Sequence, residues 1–307
     1  MNLKNFIKTF QRALARYTLF LFAGILKWFP FKALRALATV VTTIGFCFIM
    51  KQRRLAKESL EIAFGHEKSS RDIEKIIREC FYNLGHGMME MLYFMAHPKE
   101  AANYIFFEGQ EHLDKAIKEG RGVIAVTAHF GNFPLMMLYC ALKGYPVNTI
   151  IRPTRDEKLE KYLFRKRNEW GITTVYAIPR RQCVVSSLRI LRKNEVLFIP
   201  LDQNFGNGGG VFVDFFGQKA ATATGPVVFA QLTNAVILPM FITRENHQRH
   251  KITIEPPFEL TTAGNEEEDI QTNIARLTKL IEQYIRRYPH EWGWMHRRWK
   301  SQEAVHA

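Results

Sequence analysis

A chain of 307 residues with 47% hydrophobic and 13% aromatic content can bury a full core, and is expected to form one large domain with an appendage. Its formal charge of +14 points to polyanionic partners, either nucleic acid or the anionic face of a membrane. The four cysteines, Cys47, Cys80, Cys140 and Cys183, form neither a CxxC pair nor a Cys/His ligand pattern, which argues against a zinc site or a disulfide framework and for a reducing compartment.

At the N-terminus, Leu3, Phe6, Ile7, Phe10, Leu14, Tyr17 and Leu21 recur at helical spacing while Lys4, Lys8, Arg12 and Arg16 run down the opposite face. That is the pattern of a basic amphipathic helix lying on a membrane. Two apolar runs follow, TLFLFAGIL and, beyond Lys27 to Pro30, ALATVVTTIGFCFIM from Ala36 to Met50. The first is about half, and the second about three quarters, of the roughly 20 residues that a spanning helix needs. No small-residue cleavage site is placed as a signal peptide requires, so the segment is expected to be retained. Residues 1–50 therefore read as a membrane anchor, with a short hairpin or marginal span, against the alternative of a core helix pair. The cationic cluster from Lys51 to Arg54 suits a chain leaving a bilayer on its cytoplasmic side, and 51–307 is the second domain.

Residues 69–95 predict a helix with Ser70 as its cap and Ile73, Ile76, Ile77, Cys80, Phe81 and Leu84 on one stripe. On it His86 and Glu90 stand four apart, a spacing that suits an acid/base or metal pair but is commoner as an ordinary contact. Next comes GVIAVTAHFGNFP, residues 122–134. Its uncharged first half predicts a buried strand, and its second half a sharp turn into a helix with Asn132 as N-cap and Pro134 in the first turn. His129 then stands at the carboxyl end of a strand, beside helix N-terminal amides, where an imidazole can take a proton from a hydroxyl. A partly buried turn residue is the alternative.

Strands at 147–151 and 173–178 and at VLFIPL (196–201) alternate with helices at 156–170 and 183–193. This predicts an α/β fold with a mainly parallel central sheet flanked by helices. His129, Arg152 and Asp202 each follow an apolar strand, where ligands of such sheets bind. The stretch 202–216, DQNFGNGGGVFVDFF, lacks the GxGxxG spacing and reads not as a nucleotide signature but as a glycine loop that permits a flexible turn or a close backbone approach to a ligand. A helix then begins near Thr224 with Pro226 in its first turn, and the amides of Thr224 and Gly225 suit an oxyanion or phosphate unless they merely cap the helix. VILPMFITR and HKITIE add two strands, and 266–288 a long amphipathic helix. The closing HEWGWMHRRWK interleaves Trp292, Trp294 and Trp299 with Arg297, Arg298 and Lys300, which predicts a lipid-headgroup contact once the N-terminal segment has favoured lipid over nucleic acid.

Taken in order, AHFGN at 128–132, IRP at 151–153, LDQNFG at 201–206, VFVDFFG at 211–217, ATATGP at 221–226 and HRRWK at 296–300 carry a resemblance. The chain resembles the late acyltransferases of lipid A biosynthesis, the lauroyl and myristoyl transferase family, across nearly its whole length. The resemblance implies an enzyme on the cytoplasmic face of the cell inner membrane that moves a fatty acyl chain from acyl carrier protein to a hydroxyl of an anionic glycolipid. It implies no metal or redox cofactor and no nucleic acid. It also implies that His129 is the general base and that Arg152, Asp202 and Gln203 belong to the site; Asn132, Thr224 and Gly225 complete the expected substrate contacts. One position departs from the family pattern of a histidine, four residues and a carboxylate, because the carboxylate position is Pro134. Three readings follow: another acid, Asp202 or Glu108, orients His129; the imidazole works unassisted; or the protein is a catalytically weak relative that binds glycolipid.

Overall fold

A computed structural model describes residues 13–301 except 15, 19, 22–23, 26–27, 207–208 and 246–248. The first part of the expected amphipathic helix, Leu3 to Arg12, lies outside the described residues. Of its later members, Leu14, Tyr17 and Leu21 are exposed, while Arg16 is buried in an ion pair with Asp156 at 2.5 Å. Arg16 is therefore a contact with the body of the protein, not a free cation facing an anionic leaflet.

Helix α1 (Phe31–Phe48) is followed by α2 (Met50–Phe64) and α3 (Ser70–Ala96). Among the described residues α1 is the one helix long and apolar enough to cross a membrane. One of its faces nevertheless packs along α3. Phe31 meets the rings of Tyr93, Phe94 and Tyr104 in tilted contacts, Leu34 and Ala38 are buried, and Phe46 meets Phe81 at 5.7 Å. Gly85 permits the close approach, since a Cβ there would lie 2.0 Å from Thr42 Oγ1. The opposite face, with Val40, Val41, Ile44 and Phe48, is exposed. Helix α3 starts one residue earlier than the sequence suggested: Ser69 Oγ, rather than Ser70, accepts the amide of Asp72 and caps it.

Among the described residues nine strands follow. The main sheet has seven, in the order β1 (Ile105–Glu108), β9 (Arg249–Ile254), β8 (Val236–Glu245), β2 (Val123–Thr127), β5 (Val196–Pro200), β3 (Val147–Ile151) and β4 (Ile172–Tyr176). Every pairing is parallel except that of β8 with β9. Helices α4 (Gln110–Lys118) and α5 (Phe133–Leu142) cover one face together with α1, while α7 (Arg180–Arg192), α8 (Gly225–Thr233) and α9 (Glu266–Arg287) cover the other; α6 (Glu157–Glu169) links β3 to β4. Covering both faces makes the strands apolar without alternation. In β2, Ile124 and Val126 face one core and Val123 and Ala125 the other, all of them buried. Strand β1 and helix α4 had no strong signal in the sequence, because a four-residue edge strand and a nine-residue helix are too short to show a period.

Two stretches correct the sequence analysis. The glycine loop ends in a hairpin, β6 (Val211–Phe215) with β7 (Gln218–Thr222), in which Val213 and Phe215 face inward. Its two-residue turn places Phe216 and Gly217 at φ 56° and 73°, the left-handed pair whose twist matches a hairpin, and Glu282 Oε2 holds the Phe216 amide at 3.0 Å. The C-terminal aromatic and cationic run is no lipid patch. Trp292, Trp294 and Arg298 are among the largest fully buried side chains, and only Arg297 and Lys300 of the six residues singled out are exposed. Arg298 donates through its two terminal nitrogens to Gln203 O, Ala221 O and Thr222 Oγ1, so its charge is held inside the protein.

Candidate active site

Strands β2 and β5 are adjacent and parallel, with Thr127 opposite Pro200. Two residues beyond that register pair stand His129 and Asp202, so the sheet itself brings together side chains 73 positions apart. His129 Nδ1 donates to Asp202 Oδ1 at 2.9 Å, and Trp292 Nε1 donates to Asp202 Oδ2 at 2.8 Å. The turn after β2 is pinned to the C-terminal segment as well. The Gly131 amide donates to Glu291 O, the Gly293 amide donates to His129 O, and Phe130 forms a β-bridge with Trp292. Gly131, at φ 56°, is required: a Cβ would meet Ile242 O at 2.0 Å.

The acid is buried while the base is reachable. The Asp202 side chain is inaccessible, whereas that of His129 is 28% exposed. Burial opposes ionisation of Asp202, but the attraction of His129, their hydrogen bond, the nearby His296 and the Trp292 bond together hold it well below the usual carboxylate range. For His129, burial pulls the pKa down and Asp202 pulls it up more strongly, leaving it above the ordinary histidine value. With Nδ1–H committed to Asp202, the second nitrogen, Nε2, is the acceptor. Gln203 Nε2 lies 3.0 Å from it. His296, whose ring stands 5.3 Å from that of His129, has its pKa lowered by burial and by the His129 charge. His129, Asp202 and His296 bring ligand atoms within 4.8 Å of one another, the composition of a metal cluster. The carboxylate is already engaged on both oxygens, by an imidazole and an indole, and that arrangement suits an acid that orients a base.

His129 opens onto a cleft of about 1330 Å3 at the carboxyl ends of the strands. Its walls include Met88, Met91, Met95, Met137, Ile172 and Phe229, flexible apolar side chains suited to a long chain. Of the residues singled out in the sequence, His129, Asn132, Arg152, Gln203, Thr224 and Gly225 all line this cleft, and Asp202 lies just beneath it. Pro134 also lines it, in the first turn of α5. Arg152 is exposed and has no ion pair among the described residues, unlike Arg167 and Lys166, which are paired with Glu160 and Glu169. Asn132 occupies the N-cap position of α5 but caps nothing with its side chain; its amide donates to Gly87 O and Glu90 Oε2, both at 3.3 Å. Thr224 precedes α8 likewise without a side-chain cap. Glu108 is remote: it sits on β1, three strands from β2, and pairs with Lys251 at 2.9 Å.

His86 and Glu90 do not form a pair. His86 Nε2 lies 3.2 Å from Thr39 Oγ1, whereas Glu90 receives Arg244 through both guanidinium nitrogens, at 2.5 and 2.9 Å, and His250 Nε2 at 3.0 Å. Arg244 reaches the cleft wall, so this buried charge cluster underlies the site through Asn132. Trp292, His296, Arg244 and Glu90 are the site residues that sequence reasoning missed or misplaced. Trp292 and His296 carried a signal as part of the C-terminal motif, and Glu90 through a spacing that named the wrong partner, while Arg244 carried none.

A family model for bacterial lipid A biosynthesis acyltransferases matches residues 4–301 of the chain. The chain is 27% identical to a lipid A biosynthesis palmitoleoyltransferase of Escherichia coli, over 89% of this chain and 86% of that protein. It is 24% identical to a lipid A biosynthesis lauroyltransferase of the same organism, over 89% and 87% respectively. A phosphatidylinositol mannoside acyltransferase of Mycobacterium tuberculosis is 24% identical over 62% of this chain and 58% of that protein.

Proposed function

The chain belongs to the bacterial lipid A biosynthesis acyltransferases, and on that premise we propose that it moves a fatty acyl chain from acyl carrier protein, or another acyl thioester, to a hydroxyl of a lipid A precursor or related glycolipid. The observation that carries this reading is the His129–Asp202 pair, whose imidazole opens on a large, mostly apolar cleft. His129 Nε2 takes the proton of the acceptor hydroxyl as its oxygen attacks the thioester carbonyl carbon. The new C–O bond forms, the carbonyl oxygen carries the negative charge, and on collapse the C–S bond breaks. The thiolate then recovers the proton from the imidazolium, which restores His129. Asp202 holds the productive tautomer and stabilises the charged imidazole, which is the role of the carboxylate that Pro134 replaces.

Gln203 has two parts in this scheme. At rest its amide donates to Nε2, where the incoming hydroxyl must bind. Once displaced, the same N–H is a donor for the oxyanion, and Thr224 and Gly225, at the start of α8, line the same cleft. Arg152, exposed at the end of β3 and without an ion pair among the described residues, suits bidentate contact with a phosphate of the acceptor. Membrane association on the cytoplasmic face is proposed from the outward apolar face of α1, together with the cations of residues 1–12.

The test is a purified full-length protein incubated with acyl carrier protein thioesters and a lipid A precursor. Wild type should acylate the acceptor, and His129→Ala should not, at an unchanged thermal transition. If wild type binds the glycolipid yet turns over no donor, the protein is a binding member of the family instead. Fractionation tests the location: removal of residues 1–50 should shift the protein from membrane to supernatant, and equal partitioning of both forms would refute the anchor.

A further inference from the structure

On the side of α3 away from the cleft, a second recess of about 300 Å3 lies between α1 and α3. At about 100° per residue, Tyr82 and His86 project to this side while Gly87, Met88 and Met91 face the acyl-transfer cleft, so one helix separates two cavities. The recess is lined by Lys32, Arg35, Thr39, Tyr82 and His86, between the rings of Phe31 and Tyr104. Among the described residues no carboxylate lines it.

The polar groups there are rich in donors and poor in acceptors. Lys32 and Arg35 have no ion pair among the described residues, and Arg35 Nε is buried with no hydrogen-bond partner. Arg16, Arg244 and Arg298 also leave Nε without a partner, but each has an acceptor at a terminal nitrogen. The Arg35 guanidinium has none among the described residues, and a buried donor left without an acceptor is costly. The hydroxyl of Thr39 already donates to Arg35 O and meets His86 Nε2 at 3.2 Å, so these two line the recess as engaged groups, while the phenols of Tyr82 and Tyr104 add hydrogen-bonding capacity at its wall. A fork of cationic N–H donors with surrounding hydroxyls is the recognition chemistry of a tetrahedral oxyanion, above all a phosphate.

The surroundings say what carries that phosphate. The recess sits in the first turns of α1, beside exposed Trp28 and Phe29 and below the outward Val40, Val41, Ile44 and Phe48. Basic groups at the edge of an exposed apolar strip meet headgroups when the strip meets acyl chains. We propose that this recess binds the phosphate group of an anionic membrane lipid, at a site separate from the acyl-transfer cleft. The proposal stands apart from the reaction assigned above, because its test reads binding alone.

The experiment is co-sedimentation of the full-length protein with galactolipid vesicles, which contain no phosphate. These are doped either with phosphatidic acid or, at equal surface charge, with a fatty acid. Wild type should prefer the phosphate-bearing vesicles. Arg35→Lys, which keeps the charge but loses the fork, and Tyr82→Phe, which keeps the ring, should each reduce that preference by about tenfold, as expected when a charge-assisted hydrogen bond is lost. Arg152→Ala, in the cleft, should leave it intact. Equal binding to both vesicle types would overturn the site. So would a preference that survives in Arg35→Lys and Tyr82→Phe but vanishes in Arg152→Ala. Inorganic phosphate, titrated by calorimetry without vesicles, separates the sources: binding that depends on Arg35 with no vesicle preference would overturn the lipid assignment.

Discussion

Glu90 and Asp202 are buried carboxylates beneath the cleft, and they are solved in opposite ways. Glu90 is surrounded by charge: Arg244 grips both oxygens, His250 donates to one of them and the Asn132 amide adds another bond. Asp202 has no such clamp. Its partners are one imidazole and one indole N–H, and it becomes an ion pair only when His129 holds a second proton. Although burial opposes both, each is held well below the usual carboxylate range, Glu90 chiefly by His250 and Arg244 and Asp202 chiefly by His129. The difference separates architecture from chemistry. A fully neutralised acid fixes α3 to β8 and β9; a half-neutralised one leaves its histidine reachable and ready to gain a proton.

The comparison breaks most sharply at Asp202. Asp202→Asn removes the acceptor that fixes the tautomer and stabilises the imidazolium, and the expected loss is about 10⁴ in rate, the scale seen when a triad carboxylate is neutralised. The pH profile moves too. His129 must be neutral to act, so kcat/KM falls as pH drops through its raised pKa, which lies above the ordinary 6.5. Without Asp202 the raising cause is gone and burial still lowers the value, so the acid limb should shift to lower pH. A rate near wild type, or an unmoved limb, would remove Asp202 from the mechanism.

Glu90→Gln tests the other acid. It strands Arg244 in a buried setting, and breaking such a pair costs about 3–5 kcal/mol of stability. Denaturant unfolding should show that loss, with the pH profile of the surviving folded enzyme unchanged. A shift of the profile without destabilisation would mean that the roles of the two acids had been confused.

A smaller effect is expected at the indole. Trp292→Phe keeps the ring packed against Phe215 and Trp294 but leaves Asp202 Oδ2 without its donor. An unsatisfied buried acceptor costs about 1–3 kcal/mol, so activity should fall roughly tenfold and the transition should move by a few degrees. Isothermal kinetics beside calorimetry would distinguish this from general loosening of the C-terminal segment.

The sequence carried some of this and hid the rest for physical reasons. Strands covered on both faces are apolar throughout, so β2, β3 and β5 stood out, and with them His129, Arg152 and Asp202 at their ends. That Asp202 meets His129 depends on β5 returning to pair with β2, a fact of strand order that no local pattern contains. Glu90 finds Arg244 and His250 across 154 and 160 residues, so its spacing from His86 on one helix misled instead. Trp292 and Arg298 resembled a surface motif because alternating aromatic and basic residues look the same whether the chain lies on a lipid or folds through a core.

The smallest expected effect falls at Pro134, where the family's carboxylate is missing. If His129 lacked an orienting acid, Pro134→Glu would supply one and raise the rate. Here the imidazole Nδ1–H is already bound to Asp202 at 2.9 Å, and Nε2 must stay free for the hydroxyl. A second carboxylate finds no vacant N–H to hold, and it adds negative charge beside an acid already ionised. The helix itself should tolerate the change, since a carboxylate in the first turn of α5 gains roughly 0.3–1 kcal/mol from the helix dipole. We therefore expect a rate equal to or below wild type with an unchanged thermal transition, measured side by side with the same acyl donor. A substantial gain would mean that Asp202 orients His129 poorly in solution. Combining Pro134→Glu with Asp202→Asn decides the matter: recovery of rate in the double variant, but no gain in the single one, identifies Asp202 as the replacement for the missing acid.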